Sequence, residues 1–278
     1  MVDGKYWGRG ATGKRPLTDA EASRLWAERR GARDDFEQRL RIPPPELTYS
    51  WVQPRRMGWL QVLVEPTARN LTGPLNAAIP QGLHPLQLVT SALTFRPQWS
   101  PSLLSLRYPR PHPDGVAAAS YDQPATDEEA HLLHLLIADD GRLRALTPAL
   151  SGYGHDRLRM CISVNHLMEL VHQLLQLATQ LGSTYLAYGG PWRAGIYLEG
   201  LAGHVSAQSL SDGFADSRGA AAFQADTYLR TTTATASDLA DRTSTVVQAL
   251  LRDLARGLSV DGYLFPYEDP QEIVQRSR

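Results

Sequence analysis

The chain has 278 residues, of which 42% are hydrophobic and 21% charged, enough to bury a sizeable core in one large or two small domains. A formal net charge of −1 argues against a molecule that attracts nucleic acid or an anionic membrane with its whole surface. Cys161 is the only cysteine, which excludes an intrachain disulfide and a thiolate zinc cluster. With no apolar leader after Met1 and no apolar run of ~18 residues to cross a bilayer, the simplest expectation is a cytoplasmic protein without membrane contact. The charge is uneven. Residues 1–60 carry twelve basic side chains against eight acidic ones, so a basic arm of about +4 precedes an acidic body.

In chain order, Tyr6–Glu21 reads as a strand end, a glycine-rich basic turn and a helix start. Gly8, Gly13 and Lys14 stand at the spacing of a phosphate-binding loop, G-x-x-x-x-G-K, and Gly8, Gly10 and Gly13 also fit G-x-G-x-x-G. Arg15 stands where such a loop needs a metal-binding hydroxyl, and Pro16 follows. The helix signal comes later, at Thr18-x-x-Glu21, a capping box. A basic surface turn is therefore the better reading. The first helix spans Asp19 to about Arg39, with Ala22, Leu25, Trp26, Phe36 and Leu40 as an intermittent apolar stripe. Pro43-Pro44-Pro45 ends it, because proline lacks a donor and disfavours helix in the preceding residue. Residues 1–46 thus form an arm and linker, and 47–278 a separate domain.

In that domain, Gly58–Glu65 reads as a strand ended by Pro66, Leu83–Leu93 as a helix and Leu103–Tyr108 as a short strand. Pro109–Gly115 reads as a proline-rich loop. His131–Ala138 and Arg142–Leu146 flank Asp139-Asp140-Gly141, where Asp-Gly supplies the positive φ angles of a tight hairpin. Ser163–Leu181 is the strongest helix, with leucines at helical spacing, and Gly182-Ser183 ends it. Tyr185–Tyr188 and Trp192–Glu199 read as a hairpin around Gly189-Gly190-Pro191. Gly200–Gly219 is loop-rich, Thr227–Thr235 suits an exposed strand, and Asp238–Arg256 is the last helix, with Gly257 as its C-cap. The order predicts an α+β fold: an antiparallel or mixed sheet with helices on one face, preceded by the strand-turn-helix arm. Trp59 and Trp192 each begin a strand, a weak echo compatible with internal duplication.

Candidate chemistry is sparse. His166 and His172 are six residues apart, which turns them by about 120° around a helix, away from the one-face geometry of a zinc helix. With Glu169, Gln173, Gln176 and Gln180 they read as a solvated polar face. His131 and His134 would point to opposite faces of a strand, His112 is a loop histidine with no carboxylate partner nearby, and no G-x-S-x-G elbow accompanies His155-Asp156. No catalytic residue, metal ligand or cofactor is therefore assigned. Trp59, Tyr188 and Trp192, with Trp51, are candidates for an aromatic ligand surface, although aromatics at strand starts commonly serve packing.

Tyr6, Arg9, Gly10, Thr12, Arg15, Pro16, Asp19 and Glu21 follow one another as an aromatic, an arginine, a small-residue turn, a proline and an acidic helix start. In that order they resemble the end of the Schlafen AlbA-like domain, a family associated with DNA or RNA binding. The resemblance covers about the first twenty-five residues. The upstream body of that family has no counterpart here, so no catalytic residue is carried over. The resemblance implies the C-terminal region of such a protein, of the actinobacterial type, either a shortened product or a fragment. The expected function is a non-enzymatic accessory module for sensing, oligomerisation or partner binding, with Arg9, Lys14 and Arg15 contacting phosphates. The alternative is a small hydrolase whose His/Asp site is assembled by the fold. A homo-oligomer is a further expected partner, through packing of the first helix on another protomer.

Overall fold

The computed structural model describes residues 7–10, 13–16, 18–42, 58–68, 75, 85–94, 102–120, 133–147, 151–153, 160–207, 221–264 and 267. The chain divides into two compact units, Met1–Ile42 and Pro43–Arg278.

In the first unit, Trp7–Gly10 (β1) and Gly13–Pro16 (β2) pair antiparallel, so Arg9, Lys14 and Arg15 of the expected basic turn lie on two paired strands. Helix α1, Asp19–Arg41, opens with the expected capping box. The Thr18 backbone N–H donates to Glu21 Oε2 at 2.9 Å, and the Glu21 N–H donates to Thr18 Oγ1 at 3.3 Å. Ala22, Phe36 and Leu40 are buried, whereas Leu25 is exposed.

The second unit is built on a seven-stranded, wholly antiparallel sheet. Its strands are Trp59–Pro66 (β3), Tyr108–His112 (β4), Gly115–Ala119 (β5), His134–Ala138 (β6), Leu143–Thr147 (β7), Trp192–Glu199 (β10) and Thr227–Ala234 (β12). Their spatial order is β12-β10-β3-β7-β6-β5-β4. Ser151–Tyr153 (β8), Met160–Ile162 (β9) and Val205–Ser206 (β11) form a small separate sheet. Among the described residues, four helices complete the main core: Pro85–Ala92 (α2), Val164–Gln180 (α3), Ala236–Asp241 (α4) and Thr243–Gly257 (α5), followed by the single turn Asp261–Leu264 (α6). Leu60, Val62 and Val64 of β3 and Ala194, Ile196 and Leu198 of β10 join one apolar cluster with the leucines of α3 and α5. The fold is the expected α+β arrangement, with helices against one sheet face.

Several local expectations are corrected. Pro109–Gly115 is not a loop: Tyr108–Gly115 carries strand β4 and the start of β5. Two prolines fit because, among the described residues, β4 ends the sheet and pairs with β5 alone, so N–H groups missing on its other side break no ladder. Leu103–Ser105 is a tight helical turn rather than part of a strand. The Asp-Gly hairpin has a three-residue loop. The Ala138 N–H donates to the Arg142 carbonyl, and only Gly141 takes a positive φ, 81°.

Gly182-Ser183 does not end α3, which continues as a wide π turn over Leu181–Tyr185. A Cβ at Gly182 would lie 2.9 Å from Cζ2 of Trp192, so this glycine serves close packing. No hairpin links Tyr185–Tyr188 to β10, whose neighbours are β3 and β12. The expected last helix is split in two at Arg242. Gly257 is the final residue of α5 and packs under Phe223, while Ser259 takes the positive φ of 57°. Trp59 and Trp192 begin adjacent antiparallel strands but face opposite sides, so they are not equivalent positions of a repeat.

Two outcomes test this architecture. Gly115 has φ 151°, and a Cβ there would sit 2.3 Å from the Ile137 carbonyl oxygen. Gly115→Ala should therefore cost stability by about 1–3 kcal/mol, measured by urea denaturation, with normal stability of the variant counting against this strand pairing. At α4, Asp238 accepts from Thr235 Oγ1 at 2.7 Å and from the Thr235 backbone N–H at 3.0 Å, and these bonds hold its carboxyl below the usual range. The folded pKa is thus the lower one, so the contribution is present above the unfolded value and lost as pH falls through the folded one. The stability gap between the wild type and Asp238→Ala should close over that acidic interval in pH-dependent thermal melts.

Candidate nucleic-acid interface

The register sets Arg9 opposite Lys14 and Arg15 opposite Gly8, with Gly10 opposite Gly13. Two cations at directly opposed positions repel and destabilise a ladder. The helix that follows has no such imbalance. Residues 19–41 hold six basic and six acidic side chains, and Arg24–Glu28, Arg33–Glu37 and Arg39–Asp35 form ion pairs one helical turn apart. Residues 1–18 hold four basic side chains (Lys5, Arg9, Lys14 and Arg15) against Asp3 alone. The positive excess of the first unit therefore lies wholly in and around the hairpin. The phosphate-loop spacing of Gly8, Gly13 and Lys14 falls within two paired strands, not in a loop opening a helix, so it lacks the backbone geometry of a nucleotide site.

The three aromatic candidates do not form one surface. Tyr188 and Trp192 meet edge to face with centroids 5.5 Å apart. Tyr188 is tied down: its hydroxyl donates to the Pro191 carbonyl at 2.7 Å and accepts from the Ala68 backbone N–H at 3.3 Å. Trp192 is 1% exposed in the main core. This pair fastens the end of β3 to the start of β10, where Trp192 stands opposite Pro66. Trp59 lies on the other face at the far end of β3 and packs against Tyr197, 5.3 Å away. Trp51 lies outside the described residues.

The polar side of α3 is not solvated, contrary to expectation. His172 and Gln173 are 0% and 1% exposed, and Glu169 and Gln176 are also buried. Buried polar groups cost stability unless bonded, and here partners come from three directions. Gln173 Oε1 accepts the Leu103 backbone N–H at 2.8 Å, Gln176 Nε2 donates to Thr94 Oγ1 at 2.5 Å, and Gln180 Nε2 donates to Ser91 Oγ at 2.8 Å. The Tyr267 hydroxyl lies 3.3 Å from His172 Nδ1. The row is a docking seam that holds α2 and the 103–105 turn against α3. His166, the other histidine of this helix, is partly buried near its start, where its N–H donates to the capping Ser163 Oγ.

A second polar row escaped notice in the sequence. On the sheet face away from the helices, Gln61, Glu65 and His134 are buried, Glu65 faces Arg193 at 3.8 Å, and the Tyr197 hydroxyl donates to Glu199 at 2.8 Å. The signal is the placement of Gln61 and Glu65 four residues apart, on one face of an otherwise apolar strand. His134 is on this face, His172 is on α3, and His112 and His204 are on other segments, so the described histidines are not gathered at one site. His131 and His155 lie outside the described residues. Among the described residues no group of three His, Cys, Asp or Glu side chains could hold a metal, and no helix is long and apolar enough to cross a membrane.

No family model, curated protein or solved structure matches this chain.

The seam makes a measurable claim. Gln173→Leu would strand the Leu103 N–H in the interior, so it should lose about 1–3 kcal/mol in chemical denaturation. An unchanged midpoint would show that the bond does not anchor the turn.

Proposed function

We propose that the chain is a non-enzymatic accessory module of a nucleic-acid-associated protein, contacting phosphates through Arg9, Lys14 and Arg15. The observation that carries this reading is the hairpin register, which opposes Arg9 to Lys14, beside a helix whose own charges cancel. Opposed cations gain most when a polyanion lies across them, because phosphate oxygens replace mutual repulsion with charge-assisted hydrogen bonds. Such contacts position a duplex or single strand without reading its sequence. The second unit carries the balancing negative charge, which keeps phosphate affinity local to the arm: the chain totals −1 and the first forty-two residues carry +3. The likeness of Tyr6–Glu21 to the end of a Schlafen AlbA-like domain points the same way.

Fluorescence anisotropy of the full chain with a random duplex and a random single-stranded RNA, across a salt series, tests this. Binding should weaken steeply as salt rises. On duplex DNA, each of Arg9→Ala, Lys14→Ala and Arg15→Ala should lower the magnitude of the log–log slope by about 0.9 for the contact removed. Binding that is absent, or that ignores both salt and these substitutions, sinks the proposal.

A further inference from the structure

The two edges of the large sheet are treated differently by the sequence. At one edge β4 carries Pro109 and Pro111 within five residues, a device that blocks pairing with a further strand. At the other edge β12 runs eight residues, Thr227-Tyr-Leu-Arg-Thr-Thr-Thr-Ala234, with no proline. Among the described residues β12 pairs with β10 alone. Among the described residues the hydrogen bonds of 227–234 run to β10, to α5 and within the strand itself. Thr227, Arg230 and Thr233 are exposed.

Its one charge is already engaged. Arg230 Nη2 and Nε donate to Asp253 Oδ2 at 2.7 and 3.0 Å, so the guanidinium is held toward α5 with its charge matched. Tyr228 anchors the same strand from behind, its hydroxyl donating to the Leu250 carbonyl at 2.6 Å. The edge is therefore long, firmly backed and free of the lysines, prolines or bulges that usually keep edges apart.

We infer that β12 is the pairing edge for a second copy of this chain, joined antiparallel about a two-fold axis through Thr231. In that register Thr231 faces its own copy, Arg230 faces Thr232, Leu229 faces Thr233, and Tyr228 faces Ala234. No two charges oppose one another, and the central threonines can exchange hydroxyl hydrogen bonds. A register centred on Arg230 would instead set two guanidinium groups face to face. Antiparallel pairing keeps each sheet face continuous, so the helix layers of the two copies fall on the same side. The prolines of β4 leave the opposite edge closed, so the association stops at a dimer rather than extending into a fibre.

The test uses the full chain. Sedimentation should show a dimer for the wild type. Self-opposed residues of an antiparallel pair lie within the span of a disulfide, so Thr231→Cys should give a covalent dimer on mild oxidation. Thr227→Cys, facing residue 235 in this register, should not. Cys161 is buried and stays silent in this assay. Thr231→Lys and Thr231→Glu should each be monomeric at concentrations where the wild type is dimeric, and their equimolar mixture should dimerise, with circular dichroism confirming that each is folded. A monomeric wild type, a dimer that survives Thr231→Lys, or cross-linking at Thr227 in place of Thr231 would overturn the inference. If the charged variants fail to fold, the cysteine pair decides alone.

Discussion

Helix α3 has no solvent-facing side, and most of the second unit is arranged around that fact. Thirteen of its residues, from Val164 to Ala178, are buried. Its leucine side can be satisfied by any apolar surface, and β3 and β7 supply one through Leu60, Val62, Leu143 and Ala145. Its glutamine side is more demanding. An amide in the interior must meet a partner of the right kind at the right distance. That requirement ties the Leu103 N–H to Gln173 and Thr94 to Gln176, and so holds the 103–105 turn and the end of α2 against α3. Apolar burial supplies the larger driving force, because it scales with area and accepts many arrangements. The amide row selects among those arrangements.

The same division between driving force and selection runs through the sheet. β3 is buried along its length, with apolar Leu60, Val62 and Val64 toward the helices and Gln61 and Glu65 on the other side. Its antiparallel partner β10 repeats the pattern, with Ala194, Ile196 and Leu198 inward and Arg193, Tyr197 and Glu199 outward. A slip of one residue would exchange these sets and bury the charged one against α3. The Glu65–Arg193 pair and the tethered Tyr188 fix the register from opposite faces of the same end. At the sheet margins, prolines close β4, whereas β12 is backed by α5 through Tyr228 and Arg230 and pairs, among the described residues, with β10 alone.

Charge is partitioned by unit rather than spread evenly. In α1, acidic and basic residues alternate at spacings that let them pair, which gives solubility and modest helix support without a net field. In the hairpin ahead of it the register sets Lys14 opposite Arg9, and residues 1–18 carry four basic side chains against Asp3 alone. Pairs on a helix surface and opposed positions on a hairpin thus use the same residue types to opposite effect. In one, the backbone brings unlike charges together; in the other, it brings like charges together.

Much of the architecture was legible in local signals. The Thr18/Glu21 box, the Ser163 start of α3, the Asp-Gly turn before Arg142 and the threonine-rich strand each depend on neighbours within a few residues, so the sequence alone determined them. Wherever an outcome depended on what lies across the fold, local signals misled. Pro109 and Pro111 read as loop because nothing nearby reveals that their strand is the last of the sheet among the described residues. Gly182 read as a stop because nothing nearby reveals the Trp192 ring that needs its space. His172 and Gln173 read as solvated because periodicity separates polar from apolar sides of a helix but cannot say which is covered. The aromatic candidates dispersed for the same reason: the face on which Trp59 or Trp192 lies depends on strand register. Sequence determined the elements, their caps and the imbalance of charge; tertiary structure decided burial, edges and faces, because those are set by contacts between residues far apart in the chain.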